Sequence, residues 1–178
     1  MLHVEYFGEY EVLAQPFEIA EGIKIPVGGY GFNHLRMAFS SGQQHRMSGT
    51  AAWEMGSFYA GDKKTAAFDS RVAITRQLAI EPNISLNWVS LPQSDFTTTI
   101  LGGRTTFTVT PWMFVAALVQ YASSTSSLST NLRFRWEYQP GSELFLVYTE
   151  GRDTLPQGLR PALENRVFVV KINRLIRF

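Results

Sequence analysis

Cysteine is absent from the 178 residues, which removes disulfides, thiolate zinc sites and cysteine nucleophiles together. Charge is scarce: 17% of residues are charged, against about 25% in ordinary soluble domains. A chain so poor in charge suits a surface that does not have to face water. The net charge of +1 offers no basic face for nucleic acid. No uninterrupted run of about 18 apolar residues occurs, so no membrane-spanning helix is expected. Met1-Leu2-His3-Val4-Glu5 has neither the basic start nor the apolar core of a secretion signal. An exported protein needs such a signal, so it is expected either to have been removed or to lie upstream of residue 1.

Helical periodicity is hard to find, and alternation with a period of two runs almost throughout. Its clearest stretch is Asn131-Leu132-Arg133-Phe134-Arg135-Trp136-Glu137-Tyr138-Gln139. A strand sends successive side chains to opposite faces. Leu132, Phe134, Trp136 and Tyr138 therefore share one face, and Arg133, Arg135 and Glu137 the other. Ala66, Phe68, Val72 and Ile74 oppose Thr65, Asp69, Arg71, Thr75 and Gln77. Near the end, Phe168, Val170, Ile172, Ile176 and Phe178 oppose Lys171, Asn173 and Arg177. Weaker alternation around Tyr6, Met37, Trp53, Leu86, Phe107 and Leu146, with a stretch from Trp112 to Tyr121 apolar on both faces, brings the expectation to about ten strands, an even number as in bacterial barrels.

The connections fall into two sets. If Phe178 marks the periplasmic end, residues 40–44, 79–83, 110–112 and 139–143 form tight turns on that side. Residues 13–29, 91–103, 122–130 and 149–164 form long loops on the other, where only 59–63 is short. Short turns on one side and long loops on the other characterise outer-membrane barrels.

Alternation alone also fits a soluble lipocalin-like barrel with its apolar face inward, carrying an apolar ligand. Three features favour the membrane. Strands over 64–78 and 165–178 exceed the usual length and suit a tilted span of about 9–11 residues. Aromatics such as Phe58, Tyr59, Trp88, Trp112, Trp136, Tyr138 and Tyr148 gather near strand ends, where interfacial girdles lie. The final strand alternates and closes on Phe178, the form of the signal read by the bacterial barrel-assembly machinery. Expected lipid-facing residues are thus Phe68, Val72, Ile74, Leu132, Phe134, Trp136, Tyr138, Ile172 and Ile176.

Several segments resemble a family. Ile25-Pro26-Val27-Gly28-Gly29-Tyr30-Gly31-Phe32, Gly56-Ser57-Phe58-Tyr59-Ala60-Gly61, Leu91-Pro92-Gln93-Ser94-Asp95-Phe96 and Gln120-Tyr121 occur in order. They are followed by Asn131-Leu132-Arg133-Phe134-Arg135-Trp136 and Pro140-Gly141-Ser142-Glu143-Leu144-Phe145-Leu146-Val147-Tyr148. Together they are similar to the carboxy-terminal barrel of a bacterial family of unknown function. Its full-length members carry an amino-terminal domain similar to family-nine carbohydrate-binding modules. The resemblance implies that residues 1–178 are one barrel domain or the last strands of a larger barrel. It also implies a saccharide partner held by a separate amino-terminal domain, and it supplies no catalytic residue.

Catalytic signals are lacking. His3, His34 and His45 have no ligand spacing, so neither metal nor cofactor is expected. Glu21, Asp95, Asp153 and Glu164 would be the acids of a loop hydrolase, without further support. Gly28-Gly29-Tyr30-Gly31 lacks the helix and Lys-Ser/Thr of a phosphate loop and reads as a turn. Tyr30, Phe32, Phe58 and Tyr59 read as girdle or packing residues rather than a sugar platform. The polar face has the most content: Asp69, Arg71, Arg133, Arg135, Glu137 and Lys171 are expected to point into a lumen. There they form either a filling network of paired charges or the lining of a pore. The expectation is a non-catalytic transmembrane β-barrel, antiparallel and up-and-down, in a bacterial outer membrane.

Overall fold

The computed structural model describes residues 1–20, 22–42, 46–155 and 161–176. Ten strands form one antiparallel up-and-down sheet: β1 (Leu2–Leu13), β4 (Gly28–Ser41), β5 (Met47–Phe58), β6 (Gly61–Ala73), β7 (Leu78–Ser90), β8 (Asp95–Thr110), β9 (Met113–Ala122), β10 (Ser127–Gln139), β11 (Ser142–Asp153) and β12 (Ala162–Asn173). Each pairs with its sequence neighbour in that order, β1 with β4. Strand β2 (Phe17–Ala20) and β3 (Ile23–Ile25) form a separate hairpin within the β1–β4 connection. The sheet strands run from 10 residues in β9 to 16 in β8, enough for a tilted bilayer span of about 9–11 residues.

Alternation drives these assignments, because the clearest register rows join residues of like polarity. Phe107, Val115, Phe134, Leu146 and Val170 line up across β8 to β12 on one face. Thr50, Asp69, Asn83, Gly102 and Gln120 line up across β5 to β9 on the other. A slip of one residue would exchange the two faces wholesale, so the pattern pins the register.

The sheet does not close. No pairing joins β1 to β12, and these two strands are its edges. A barrel complete within these residues is therefore not observed.

Several turns fall elsewhere than the sequence suggests. The connection expected at 79–83 lies at residues 74–77, where the Thr75 hydroxyl accepts hydrogen bonds from the backbone of Gln77 (3.1 Å) and Leu78 (2.9 Å). Ile74 thus belongs to that turn rather than to β6. Residues 91–103 and 122–130, expected as long loops, shrink to short connections at 91–94 and 123–126 because β8 and β10 start early. Gly28-Gly29-Tyr30-Gly31, expected as a turn, opens β4. Long connections on the loop side remain only at 14–27 and 154–161. Ile176 lies beyond the end of β12, and Phe178, His45 and Glu21 lie outside the described residues.

Buried apolar side chains are few among the described residues: Ala38 and Ala79 stand near the turn end of the sheet, and a cluster of three gathers at the loop end. Ile25 of the hairpin, only 1% exposed, packs with Val89 and Leu91. Leu13, Ile19, Ile23, Tyr30, Phe58, Tyr59 and Phe96 surround them. The hairpin thereby folds over the polar face at the loop end. Burying one isoleucine in this way contributes about 1.5–3 kcal/mol.

Candidate functional site on the polar face

The two faces differ in charge as well as in hydropathy. Among paired residues, those sharing the face of Phe68, Val72, Leu132, Phe134, Trp136 and Ile172 carry charge only at Asp62, Lys64, Asp95, Glu150, Arg152 and Arg166. All six sit within five residues of strand ends on the side of connections 59–60, 91–94 and 154–161. Between that rim and the opposite turns the face is free of charge. Many of its large side chains stand open, among them Trp53 and Phe68 at 36% and Tyr10 at 73%, while Leu86, Phe134 and Leu146 are half-buried. Tyr138 follows Trp136, its ring 6.0 Å away, and its hydroxyl donates to the Asn173 carbonyl at 3.0 Å. Trp53 and Trp88 pack in a tilted pair, their rings 5.9 Å apart, on the same face.

The opposite face is polar and concave. A groove of 730 Å³ crosses it from β4 to β9, lined by Thr50, Asp69, Arg71, Glu81, Asn83 and Gln120 among others. Gly102 lies across from Asn83 in this row, and no side chain rises there to fill the groove. A smaller depression of 220 Å³ adjoins it, sharing Arg104 and Leu118.

Asp69, Arg71, Arg133, Arg135, Glu137 and Lys171 all lie on this polar face. They form separate groups rather than one network. Arg71 pairs with Glu81, and Asp69 accepts a hydrogen bond from Asn83. Arg135 donates through Nε to Glu143 Oε1 at 2.9 Å and approaches Glu137 at 4.0 Å. Arg133 and Lys171 have no ion-pair partner among the described residues. Thr65, Asn87 and Thr98 extend the hydrogen bonding over three strands, at 2.9 and 3.2 Å.

Sequence reasoning overlooked Glu81, Asn83 and Arg104. Pro82-Asn83 reads as a turn and Gly102-Gly103 as a loop, yet all four stand mid-strand. Proline lacks an N–H and suits strand interiors only where the ladder is interrupted. The β6–β7 ladder skips Ser70 and Arg71, opposite Pro82 and Glu81, and Pro82 sits in that gap. The usable signal was alternation continuing through Ile80, Pro82 and Ile84.

The aromatics Tyr30, Phe32, Phe58 and Tyr59 come together at the loop end, with Tyr59 5.0 Å from Tyr30, 5.2 Å from Phe32 and 4.9 Å from Phe58. They pack against the hairpin core and not in an outward girdle. The Tyr59 hydroxyl donates to Glu11 at 3.1 Å, tying the 59–60 turn to β1. Burial pushes its pKa up, and the bond to Glu11 and its negative charge add to the effect.

His34 stacks on Phe7 at 4.9 Å and stands 3.6 Å from Glu54, while His3 lies 3.6 Å from Glu5. No three His, Asp or Glu side chains gather as metal ligands among the described residues. No family model, curated protein or solved structure matches the chain.

Proposed function

We propose that the chain is a sector of a bacterial outer-membrane β-barrel, set in lipid by its apolar face, with the polar face lining the lumen. It is a non-catalytic module that anchors, or forms a pore for, an associated domain handling carbohydrate. The association rests on the resemblance to the bacterial barrel family with a family-nine-like carbohydrate-binding domain, and membership of that family is part of the proposal. Assembly through the carboxy-terminal strand and its Phe178 belongs to the same reading.

The observation that carries it is the confinement of charge on the apolar face to one rim. In water, nothing forbids a charge midway along an exposed strand. In hydrocarbon, an arginine or lysine at mid-depth costs about 2–4 kcal/mol, falling to about 0–1 near the interface. The rim residues Lys64, Glu150, Arg152 and Arg166 stand where such charges are cheap. Grooves open on both faces: two on the polar face, and one of 640 Å³ at the charged rim of the apolar face beside Met55, Lys64, Trp88 and Thr97.

The strand tryptophans Trp53, Trp88 and Trp136 all lie on the apolar face, which provides the test. With the chain refolded into vesicles of brominated phosphatidylcholine, their fluorescence is expected to be strongly quenched relative to unbrominated vesicles. Equal fluorescence in the two lipids, with quenching by aqueous acrylamide instead, overturns the proposal.

A further inference from the structure

The carboxylates on the polar face of β6 to β11 are taken up one by one. Glu81 is held by Arg71, Glu143 by Arg135 with Glu137 beside it, and Asp69 by Asn83. Glu81 is the register neighbour of Arg104, yet it turns to the other side. This leaves Arg104 and Arg133 without an ion-pair partner among the described residues, both exposed and both on the polar face.

They are not scattered. Arg104 stands on β8 and Arg133 on β10, two strands apart, or about 10 Å between strand axes. Strand β9 between them contributes Ala116 and Leu118, which pair with Thr106 and Arg104 on one side and with Arg133 and Asn131 on the other. The 220 Å³ depression is bounded by both arginines, floored by Ala116 and Thr106, lined also by the larger Phe114 and Leu118, and flanked by Asn131. The short side chains of the floor leave room between two guanidinium groups.

We propose that Arg104 and Arg133 form a binding site for a small oxyanion, a phosphate or carboxylate group, seated over Ala116 and Thr106. A guanidinium presents paired N–H donors in a plane that matches such an oxyanion better than chloride. The Asn131 side chain, whose amide donates to Thr149 at 2.8 Å, borders the site on its far edge. The inference rests on the reading of the polar face as a water-filled lumen. In that setting the site selects the solute that passes or pauses there.

The test is titration of the full chain, folded in detergent micelles, with inorganic phosphate at ionic strength held constant with potassium chloride, following the thermal unfolding midpoint. The wild type is expected to show a saturable rise. Arg104→Gln and Arg133→Gln each weaken the apparent affinity at least about tenfold, the loss of one charge-assisted contact. Ala116→Leu, which fills the floor and keeps both charges, should weaken it as well. Lys171→Gln removes a positive charge from the same face away from the site and should leave the rise unchanged. No rise in the wild type, or the same rise in all variants, overturns the site. Insertion into brominated vesicles is scored separately on the same preparations. A protein that enters lipid but ignores phosphate refutes the site alone, and one that does not enter lipid refutes the membrane reading.

Discussion

Ile84 and Ser85 are adjacent in β7 and point to opposite faces, which makes them a direct comparison of the two media. Ile84 lies on the apolar face between Phe68 of β6 and Leu101 of β8. Its nearest charge on that face is Lys64, paired with Trp88 four residues along. Ser85 lies on the polar face between Ala67 and Ile100. Arginine at position 84 would therefore sit in hydrocarbon short of the rim and cost about 2–4 kcal/mol. At position 85 it would reach water and the neighbouring Asn83 and Asn87, at a cost under about 1 kcal/mol.

The assay is reversible urea unfolding of both variants and the wild type in phospholipid vesicles, followed by tryptophan emission. A difference of 2 kcal/mol corresponds to about thirtyfold in the folding equilibrium, well above the scatter of such measurements. The reasoning also fixes the outcome in water. Ile84 is already 37% exposed, so in a soluble sheet both arginines would cost little and about equally. Equal costs in vesicles, or a larger cost at 85, would refute the assignment of faces to lipid and lumen.

Phe134→Arg should behave like Ile84→Arg and block insertion in a vesicle-refolding assay, while Arg135→Gln should cost about 1 kcal/mol or less, because its pair with Glu143 is partly open to solvent. Ile25→Ala should remove the anchor of the hairpin at about 2–5 kcal/mol of local stability, read as faster proteolysis within residues 14–27 with the sheet intact. A methyl at Gly56 would clash with the Asn33 carbonyl oxygen, so Gly56→Ala should destabilise by about 1–3 kcal/mol in urea. Tyr59 has a folded pKa raised above its unfolded value, so its neutral form is favoured by folding. Its contribution is full below about pH 10 and is lost as pH rises through the folded value. Wild type and Tyr59→Phe should accordingly differ in unfolding midpoint at pH 8 and converge at high pH.

About ten strands and the two faces of the clearest among them were legible because a period of two survives errors in strand ends. Leu132, Phe134 and Trp136 identify their face even if β10 is misplaced by a residue pair. Turns were less legible, since turn residues also occur inside strands for reasons that only neighbours reveal. Pro82 fits a gap in the ladder with β6, and Gly102 packs against Asn83 and Gln120 of the neighbouring strands in the groove. The hairpin was not legible at all. Phe17–Ala20 and Ile23–Ile25 are too short to show a period, and their burial depends on Val89 and Phe96 far along the chain. The division of the polar network into separate pairs was equally hidden, because it follows from which arginine reaches Glu81 first.

The open edges follow from a pairing requirement rather than from the pattern within any strand. Strands β1 and β12 each turn one row of backbone N–H and C=O groups away from the sheet, along 12 residues apiece. In water such a row is solvated; in hydrocarbon each unpaired group costs several kcal/mol, so no open sheet edge persists there. The membrane reading therefore demands that both edges be paired. Because ten antiparallel strands alternate in direction, β1 and β12 run opposite to one another, and only an even number of further strands can join them while every neighbour stays antiparallel. A barrel built on this sheet must then have an even strand count: ten if β1 and β12 close on each other, and more if added strands continue the apolar face of Val4 and Tyr6 on one side and of Phe168 and Val170 on the other. An electron-microscopy or crystal structure of the assembled protein in lipid with β1 or β12 still unpaired would contradict the membrane reading as directly as a failed insertion.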